Sequence, residues 1–485
     1  MTRPTPATGA TGAASESGHG TGSVPAPEPQ AVPEQTVPGQ AVPGQAVPEQ
    51  ALPGQTVPGQ AGDDPSRRRR RAIWAGSIGN TVEWVDWAVY STFASVFSGQ
   101  FFPSDVPEAA LLSTMAVFAV GFLMRPIGGA VLGSYGDRHG RKKAMTLTIS
   151  MMAGASLVIA VCPGFGSIGV AAPIVLVVAR LVQGFSAGGE FGTSSAFLVE
   201  SAAPARRAFA GSWQQVSVGA GTLIASLTGT ILTSTLTDDA LTSWGWRLAF
   251  AVSGLLGLVG LWLRVSVAET DSFRRIDAAE RVRANPLRTM LVEHPRAALR
   301  VVGVTIAGTL IYYLWVSYMP AYVHVTTGMP LNKALLANTI SLAVFIVLLP
   351  FGGMLSDRVG RKPTMLAFAV GFLVLAWPMF RLVDGEGGFW TLLAVELVGL
   401  VLIVGYSANC AVVMAEQFPA RVRTTGIALP YALAVAVFGG TAPYITTWMS
   451  ANGLRGLVWV YLSVAALIGV VVYATMPETK GKEIE

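Results

Sequence analysis

From Ala72 onward the chain reads as long apolar runs separated by short polar connections. Runs of 18 or more residues fall near 72–98, 108–132, 145–162, 171–199, 208–233, 246–265, 297–322, 335–355, 364–382, 389–415, 424–449 and 456–476. Each is long enough to cross the roughly 30 Å hydrocarbon layer of a bilayer. Backbone polar groups in lipid have to be satisfied within the segment, so the pattern predicts twelve transmembrane helices. A membrane barrel would need short segments of alternating polarity, and the chain has no such series. The expected fold is all-α and integral to the membrane.

Residues 1–71 follow a different rule. Six pentapeptides run from Ala31 to Gln60 (AVPEQ, TVPGQ, AVPGQ, AVPEQ, ALPGQ, TVPGQ), and the segment ends in Arg67–Arg71. Proline at every fifth position blocks helices and ladders, and the few apolar residues cannot form a core, so this tail is expected to be disordered. No apolar run of the secretory type lies near its start.

Composition narrows the class. The chain is 52% hydrophobic and 13% charged, with a mean hydropathy of +0.53. Soluble domains carry about a quarter charged residues, which excludes an ordinary cytosolic enzyme. A net charge of +5 does not point to nucleic acid. Cys162 and Cys410 lie apart in apolar stretches and offer neither a metal spacing nor a disulfide framework.

Basic residues alternate between connections. The rich ones hold Arg67–Arg71; Arg138, Arg141, Lys142 and Lys143; Arg206 and Arg207; Arg264 to Arg300; Arg358, Arg361 and Lys362; Arg421 and Arg423; and Lys480 and Lys482. The poor ones hold only Arg247, Lys333, Arg381 and Arg455. The positive-inside bias then places both termini in the cytoplasm of a multi-pass protein of the plasma membrane.

The chain also repeats itself. Gly133-Ser-Tyr-Gly-Asp137-Arg138-His-Gly140-Arg141-Lys142 recurs as Gly353-Met-Leu-Ser-Asp357-Arg358-Val-Gly360-Arg361-Lys362, an offset of 220 from Asp137 to Asp357. Glu200 and Arg206 recur as Glu416 and Arg421, offset by 216 and 215. The expected organisation is a six-helix bundle at 72–265, a cytoplasmic loop at 266–296, a second, parallel six-helix bundle at 297–476 and a tail at 477–485. Parallel repeats of this kind belong to transporters, with the substrate site between the halves near the midplane.

The G-x3-D-R-x-G-R-K loops resemble the signature of the major facilitator superfamily. With GNTVEWVDWAVYS (79–91), GFLMRPIGG (121–129), ARLVQGFSAGGEFGTSSAFLVE (179–200), WGWRLAF (244–250) and PETKGK near the end, the chain is similar to the metabolite:H+ symporter family. Trp87 stands where that family usually has phenylalanine. The resemblance implies the major facilitator fold and proton-coupled import by alternating access. It points to a small organic anion, alpha-ketoglutarate or a related carboxylate. Other members carry zwitterions such as proline or betaine, or shikimate or citrate; a sugar porter and a non-transporting sensor are the remaining rivals.

Ionisable side chains inside spans are costly, about 2.5–3.5 kcal/mol each at the centre on insertion scales, and so call for an explanation. Glu83, Asp86, Arg125, Arg180, Glu190 and Glu396 are such residues. Glu83 and Asp86, on one polar stripe of span 1, are the proton-coupling candidates, not separable from sequence. Arg180 and Arg125 are the candidates for a substrate carboxylate, since guanidinium matches it bidentately; both could instead pair internally with the acids. Glu190, Gln214, Gln215, Tyr312, Tyr313, Trp315, Tyr406 and Asn409 are further polar or aromatic contacts. Gly184, Gly188 and Gly192 form a packing face, and Glu396 has no evident partner. Asp137, Arg138, Arg141, Glu200 and Arg206, repeated as Asp357, Arg358, Arg361, Glu416, Arg421 and Arg423, are expected to latch one conformation.

Gly164-Phe-Gly-Ser-Ile-Gly169 matches a dinucleotide fingerprint but falls in a short connection between spans rather than after a strand. No G-x4-G-K-[ST] occurs, nor any zinc or nucleophile signature. The expectation is no enzyme, no catalytic residue, no metal and no cofactor beyond the proton gradient. The partners are lipid, proton and substrate, with no nucleic acid, and the working unit is a monomer.

Overall fold

The computed structural model describes residues 65–139, 141–188, 190–200, 202–265, 286–385, 387–419 and 422–482. Most of the tail at 1–71, most of the loop at 266–296 and the last three residues lie outside the described residues, as do His139-to-Arg141's connecting Gly140 and Arg421.

Among the described residues there is no strand, and nine helices are long and apolar enough to cross a membrane. Two shorter apolar helices, Thr146–Val161 and Ala171–Ala187, and the 37-residue helix Pro65–Phe101 complete twelve. In chain order they are α1 (Pro65–Phe101), α2 (Pro107–Leu123 continuing as Arg125–His139), α3 (Arg141–Val161), α4 (Ala171–Ala187 continuing as Glu190–Glu200), α5 (Arg207–Thr235) and α6 (Trp246–Val265). The second six are α7 (Pro295–Tyr312 through Met319–Thr327), α8 (Leu331–Val359), α9 (Arg361–Asp384), α10 (Phe389–Ala415), α11 (Arg423–Ala434 through Ala442–Ala451) and α12 (Val458–Thr475).

Four spans that the hydropathy pattern gives as single runs are interrupted. Helix α2 turns at Met124, ahead of Pro126, and α4 breaks near Gly188. In α7, Tyr313–Tyr318 is a π-helical segment placed just before Pro320, and in α11 Val435–Gly439 is another, ahead of Pro443. Proline removes a backbone donor and clashes with the preceding turn, and π segments absorb the mismatch.

Within the first half, α1 packs on α2, α5 and α6, and α3 on α4 and α6; within the second, α7 packs on α11 and α12, and α9 on α10 and α12. The halves meet where α5 lies along α8 and α10, where α2 and α4 meet α11, and where α1 meets α7. The α2–α4 contact is backbone on backbone. A Cβ at Gly184 would sit 1.8 Å from the Gly121 carbonyl oxygen, and one at Gly188 2.0 Å from that of Arg125. Small residues of this kind let membrane helices approach closely.

Candidate functional site

The α2–α4 contact fixes two arginines beside α1. Arg125 opens the lower part of α2 and Arg180 lies mid-α4; they are 5% and 0% exposed. Both guanidiniums lie over the Trp87 ring, at 4.4 and 4.1 Å from its centroid. Arg125 also lies over Phe122, at 4.4 Å, and Arg180 over Tyr90, at 4.3 Å. Aromatic faces hold a desolvated cation while leaving its N–H edge free. Nε and Nη2 of both arginines, and Nε1 of Trp87, have no hydrogen-bond partner among the described residues.

The two acids of α1 treat these cations differently. Glu83 reaches Arg125 as an ion pair at 3.9 Å. Asp86 has no direct bond to Arg180 and is joined to it by a relay. Arg180 Nη1 donates to Gln183 Oε1 at 2.8 Å, and Gln183 Nε2 donates to Ser156 Oγ at 3.1 Å. The Ser156 hydroxyl donates to Asp86 Oδ1, which also accepts from Ser253 at 3.1 Å. Asp86 Oδ2 has no partner among the described residues. One cavity of about 20 Å³ touches both Glu83 and Asp86 and is bounded by Ser156, Ser186 and Ser253. That is room for about one water.

Around the midplane the halves close on aromatic rings. Trp84 stacks on Tyr313 at 6.0 Å, Phe122 meets Tyr313 edge-on at 5.0 Å, and Phe191 stacks on Tyr431 at 3.8 Å. Tyr312 packs edge-on to Trp84, and its hydroxyl, that of Tyr313 and the Gln214 amide nitrogen have no partner among the described residues. Gln215 donates to Cys410 Sγ across the halves at 3.2 Å.

Other expected contacts point elsewhere. Asn409 donates to Thr364 of α9, Tyr406 packs against Phe368 of the same helix, and Trp315 donates to the Glu396 carbonyl of α10. All three are enclosed within the second half. The Glu190 side chain lies outside the described residues.

At the basic-loop face, Arg361 pairs with Asp357 at 2.9 Å and with Glu416 at 3.3 Å. Asp357 also accepts the Ala208 and Phe209 N–H groups at 3.0 and 2.9 Å, which caps α5 of the other half. First-turn N–H groups have no partner within their own helix, and a carboxylate there also meets the positive end of the helix dipole. Arg423 pairs with Glu200 of the other half at 2.5 Å. Glu200 thus bridges to α11, because α4 and α11 meet at this face. The side chains of Asp137, Arg138 and Arg141 lie outside the described residues; Arg206 and Arg358 are exposed.

The C-terminal segment locks this arrangement. Glu478 accepts from the N–H groups of Arg361 and Lys362 at 3.0 Å each, capping α9, and Thr479 donates to Glu416 at 2.5 Å. Partial burial alone would raise the Glu478 carboxyl, but the backbone N–H groups of Arg361, Lys480, Lys362 and Thr479 outweigh it and hold it below the usual range. Burial pushes the Glu416 carboxyl up, against the pull of Arg361 and Thr479.

Sequence reasoning passed over Gln183, Ser156 and Ser253. Gln183 was legible, one helical turn beyond Arg180. The serines were not, since polar residues of this size recur on every span.

A model of the Major Facilitator Superfamily matches residues 76–433 and 334–485. The alpha-ketoglutarate permease of Escherichia coli K12 is 39% identical over 417 residues, 86% of this chain and 95% of the permease. The citrate-proton symporter of Klebsiella pneumoniae is 35% identical over 403 residues, 82% of this chain and 89% of the symporter. The proline/betaine transporter of E. coli K12 is 31% identical over 432 residues, 86% and 85% of the two chains. Among solved structures, the xylose transporter XylE from E. coli in a partially occluded inward-open conformation superposes with a TM-score of 0.66 at 20% identity, over 85% of this chain and 99% of that one.

Proposed function

The chain belongs to the Major Facilitator Superfamily and is a membrane transporter, not an enzyme, and we propose that it is a proton-coupled symporter importing a small dicarboxylate, alpha-ketoglutarate or a close relative. The observation that carries this reading is the pair of enclosed guanidiniums over Trp87, each with Nε and Nη2 free of hydrogen bonds among the described residues. Two such cations suit two carboxylates, each of which a guanidinium can meet through parallel hydrogen bonds.

The two acids supply the coupling. With Glu83 and Asp86 ionised, their charge competes with substrate for Arg125 and Arg180. A proton on either acid removes that competition and strengthens anion binding, and bound anion in turn favours the proton, since coupling between two ligands is reciprocal. The water-sized cavity gives the two acids a shared route for the proton. The sidedness follows the basic loops: the face carrying Asp357, Arg361 and Glu200 is cytoplasmic, as are both termini, in the plasma membrane. The halves are the six-helix bundles 72–265 and 297–476, and a monomer with no bound cofactor is the working unit. Asp137, Arg138, Arg141 and Arg421 complete the cytoplasmic latch.

The experiment is uptake of labelled alpha-ketoglutarate into proteoliposomes under an inward proton gradient, with citrate, shikimate, proline and glucose as competitors. Accumulation that a protonophore abolishes and that carboxylates alone inhibit is the expected result. Inhibition by proline but not by citrate would replace the dicarboxylate with a zwitterion.

A further inference from the structure

One buried acid has no part in this scheme. Glu396 lies on α10, seven residues in from Phe389, or about 10 Å below the end opposite the basic loops. It is 1% exposed, and neither carboxyl oxygen has a hydrogen-bond partner among the described residues. The Ser341 hydroxyl of α8 faces the carboxyl group without forming a well-directed bond and is itself unpartnered.

The internal repeat gives the position a meaning. The offset of 216 that relates Glu200 to Glu416 also carries Arg180 onto Glu396, within Arg180-Leu-Val and Glu396-Leu-Val. The offset of 220 that relates Asp137 to Asp357 carries Gly121, whose Cβ would meet the Arg180 carbonyl, onto Ser341. An offset of 228 carries Trp87 and Tyr90 onto Trp315 and Tyr318. The tryptophan of each half also meets the corresponding position, though through different atoms. Trp87 and Tyr90 hold the Arg180 side chain, and Trp315 donates to the Glu396 carbonyl at 3.3 Å while its ring fills the space left by Gly399. Glu396 is thus the second half's counterpart of Arg180, with the opposite charge.

No cation faces it. On α7 the neighbouring ionisable groups are engaged elsewhere, Tyr318 with Thr447 and Tyr322 with Asp384. On α8 the polar group facing it is Ser341; at the near end of α9, Arg381 is exposed and Asp384 is paired with Arg455 at 2.8 Å. An ionised carboxylate enclosed without a partner is too costly to persist, so in this closed arrangement the group carries a proton. The backbone at Glu396 is held by Trp315, which belongs to the π-helical segment of α7. A π segment inside a membrane helix is a place where the helix can change its winding.

We propose that Glu396 is a second proton-binding site, in the C-terminal half, that keeps its proton while enclosed by α7 and α8 and releases it to water when α7 opens on the face opposite the basic loops. The O–H bond breaks heterolytically, the proton leaves as hydronium, and the carboxylate must be reprotonated from that side before the half can close. This deepens the proton-coupled reading, since external acid would then favour closure over a loaded substrate.

The test is infrared spectroscopy of the full-length protein in liposomes, with alpha-ketoglutarate as the probe, run beside thermal unfolding of each variant. Wild type is expected to show a protonated-carboxyl stretch at neutral pH that Glu396→Gln removes and Glu396→Asp shifts. With alpha-ketoglutarate present, alkaline external buffer is expected to diminish that band. The absence of any band that Glu396→Gln removes overturns the proposal, and so does a band that external alkali leaves untouched, which would make Glu396 a permanently neutral packing group. Wild-type accumulation that survives a protonophore would instead overturn the proton-coupled function, and the band would still decide the state of Glu396.

Discussion

Asp357, at the end of α8, accepts two first-turn N–H groups of α5, those of Ala208 and Phe209, and so one half's carboxylate caps a helix of the other. Arg361 holds that carboxylate in place from the same half at 2.9 Å, and Glu416 holds Arg361. The contact therefore joins the two halves at the basic-loop face.

Asp357→Asn removes the charge and keeps the shape. An amide offers one carbonyl oxygen in place of two carboxylate oxygens and loses the favourable interaction with the helix dipole, together about 1–2 kcal/mol. The expected outcome is a shift of population toward states open on the basic-loop face, five- to thirty-fold at about that energy. Spin-label distances between α5 and α8 at that face should lengthen. Distances unchanged from wild type would show that Asp357 is not a latch. Glu200→Gln should act in the same direction but more weakly, because the Glu200 side chain is 45% exposed and its pair with Arg423 is screened.

Glu478 gives a pH signature. Its carboxyl lies below the ordinary value of 4.5 because backbone N–H groups stabilise the charged form. A depressed carboxylate adds stability above its unfolded value, and that contribution is lost as pH falls through the lower folded value. At neutral pH Glu478→Gln is expected to unfold at a lower temperature than wild type. The gap should close as the buffer is acidified below about 4.5. A gap that is unchanged in acid would mean that the cap acts through shape alone.

Glu83→Gln and Asp86→Asn separate the two proton candidates. Glu83 holds Arg125 directly, whereas Asp86 reaches Arg180 only through Ser156 and Gln183 and leaves one oxygen unpartnered beside the cavity. The geometry favours Asp86 as the group that loads and unloads. Asp86→Asn is expected to abolish accumulation against a gradient. Glu83→Gln should chiefly alter substrate affinity, through Arg125. Accumulation by Asp86→Asn that still collapses with a protonophore would move the proton to Glu83.

The twelve spans and the two-fold repeat could be read from hydropathy and the Asp-Arg-x-Gly-Arg-Lys loops, because both signals are long and regular. The breaks in α2, α4, α7 and α11 could not, since an apolar run looks the same whether its backbone is α-helical or π-helical. The arginines stood out as charges in lipid, but their stacking on Trp87 did not. Which ring a guanidinium meets depends on how α1 rotates against α2 and α4, a choice made by packing between distant segments. The same limit applied to Asn409 and Trp315, whose polarity was visible but whose direction, into the second half, was not.

Arg180→Lys is the sharpest test of the site. Lysine keeps the charge, yet it loses the planar fork and the stacking on Trp87 and Tyr90 at 4.1 and 4.3 Å. It also loses the directed bond to Gln183 that links the cation to Asp86. If the free N–H edge of Arg180 meets a substrate carboxylate, the loss of one charge-assisted hydrogen bond weakens binding by about 1.5–3 kcal/mol, ten- to a hundredfold. That loss should fall on a dicarboxylate and spare its monoester, which has one carboxylate fewer to satisfy. Thermal stability measured beside uptake separates recognition from damage to packing. An equal loss for both compounds, or none for either, would assign Arg180 to the internal relay alone and leave Arg125 as the cation that meets the substrate.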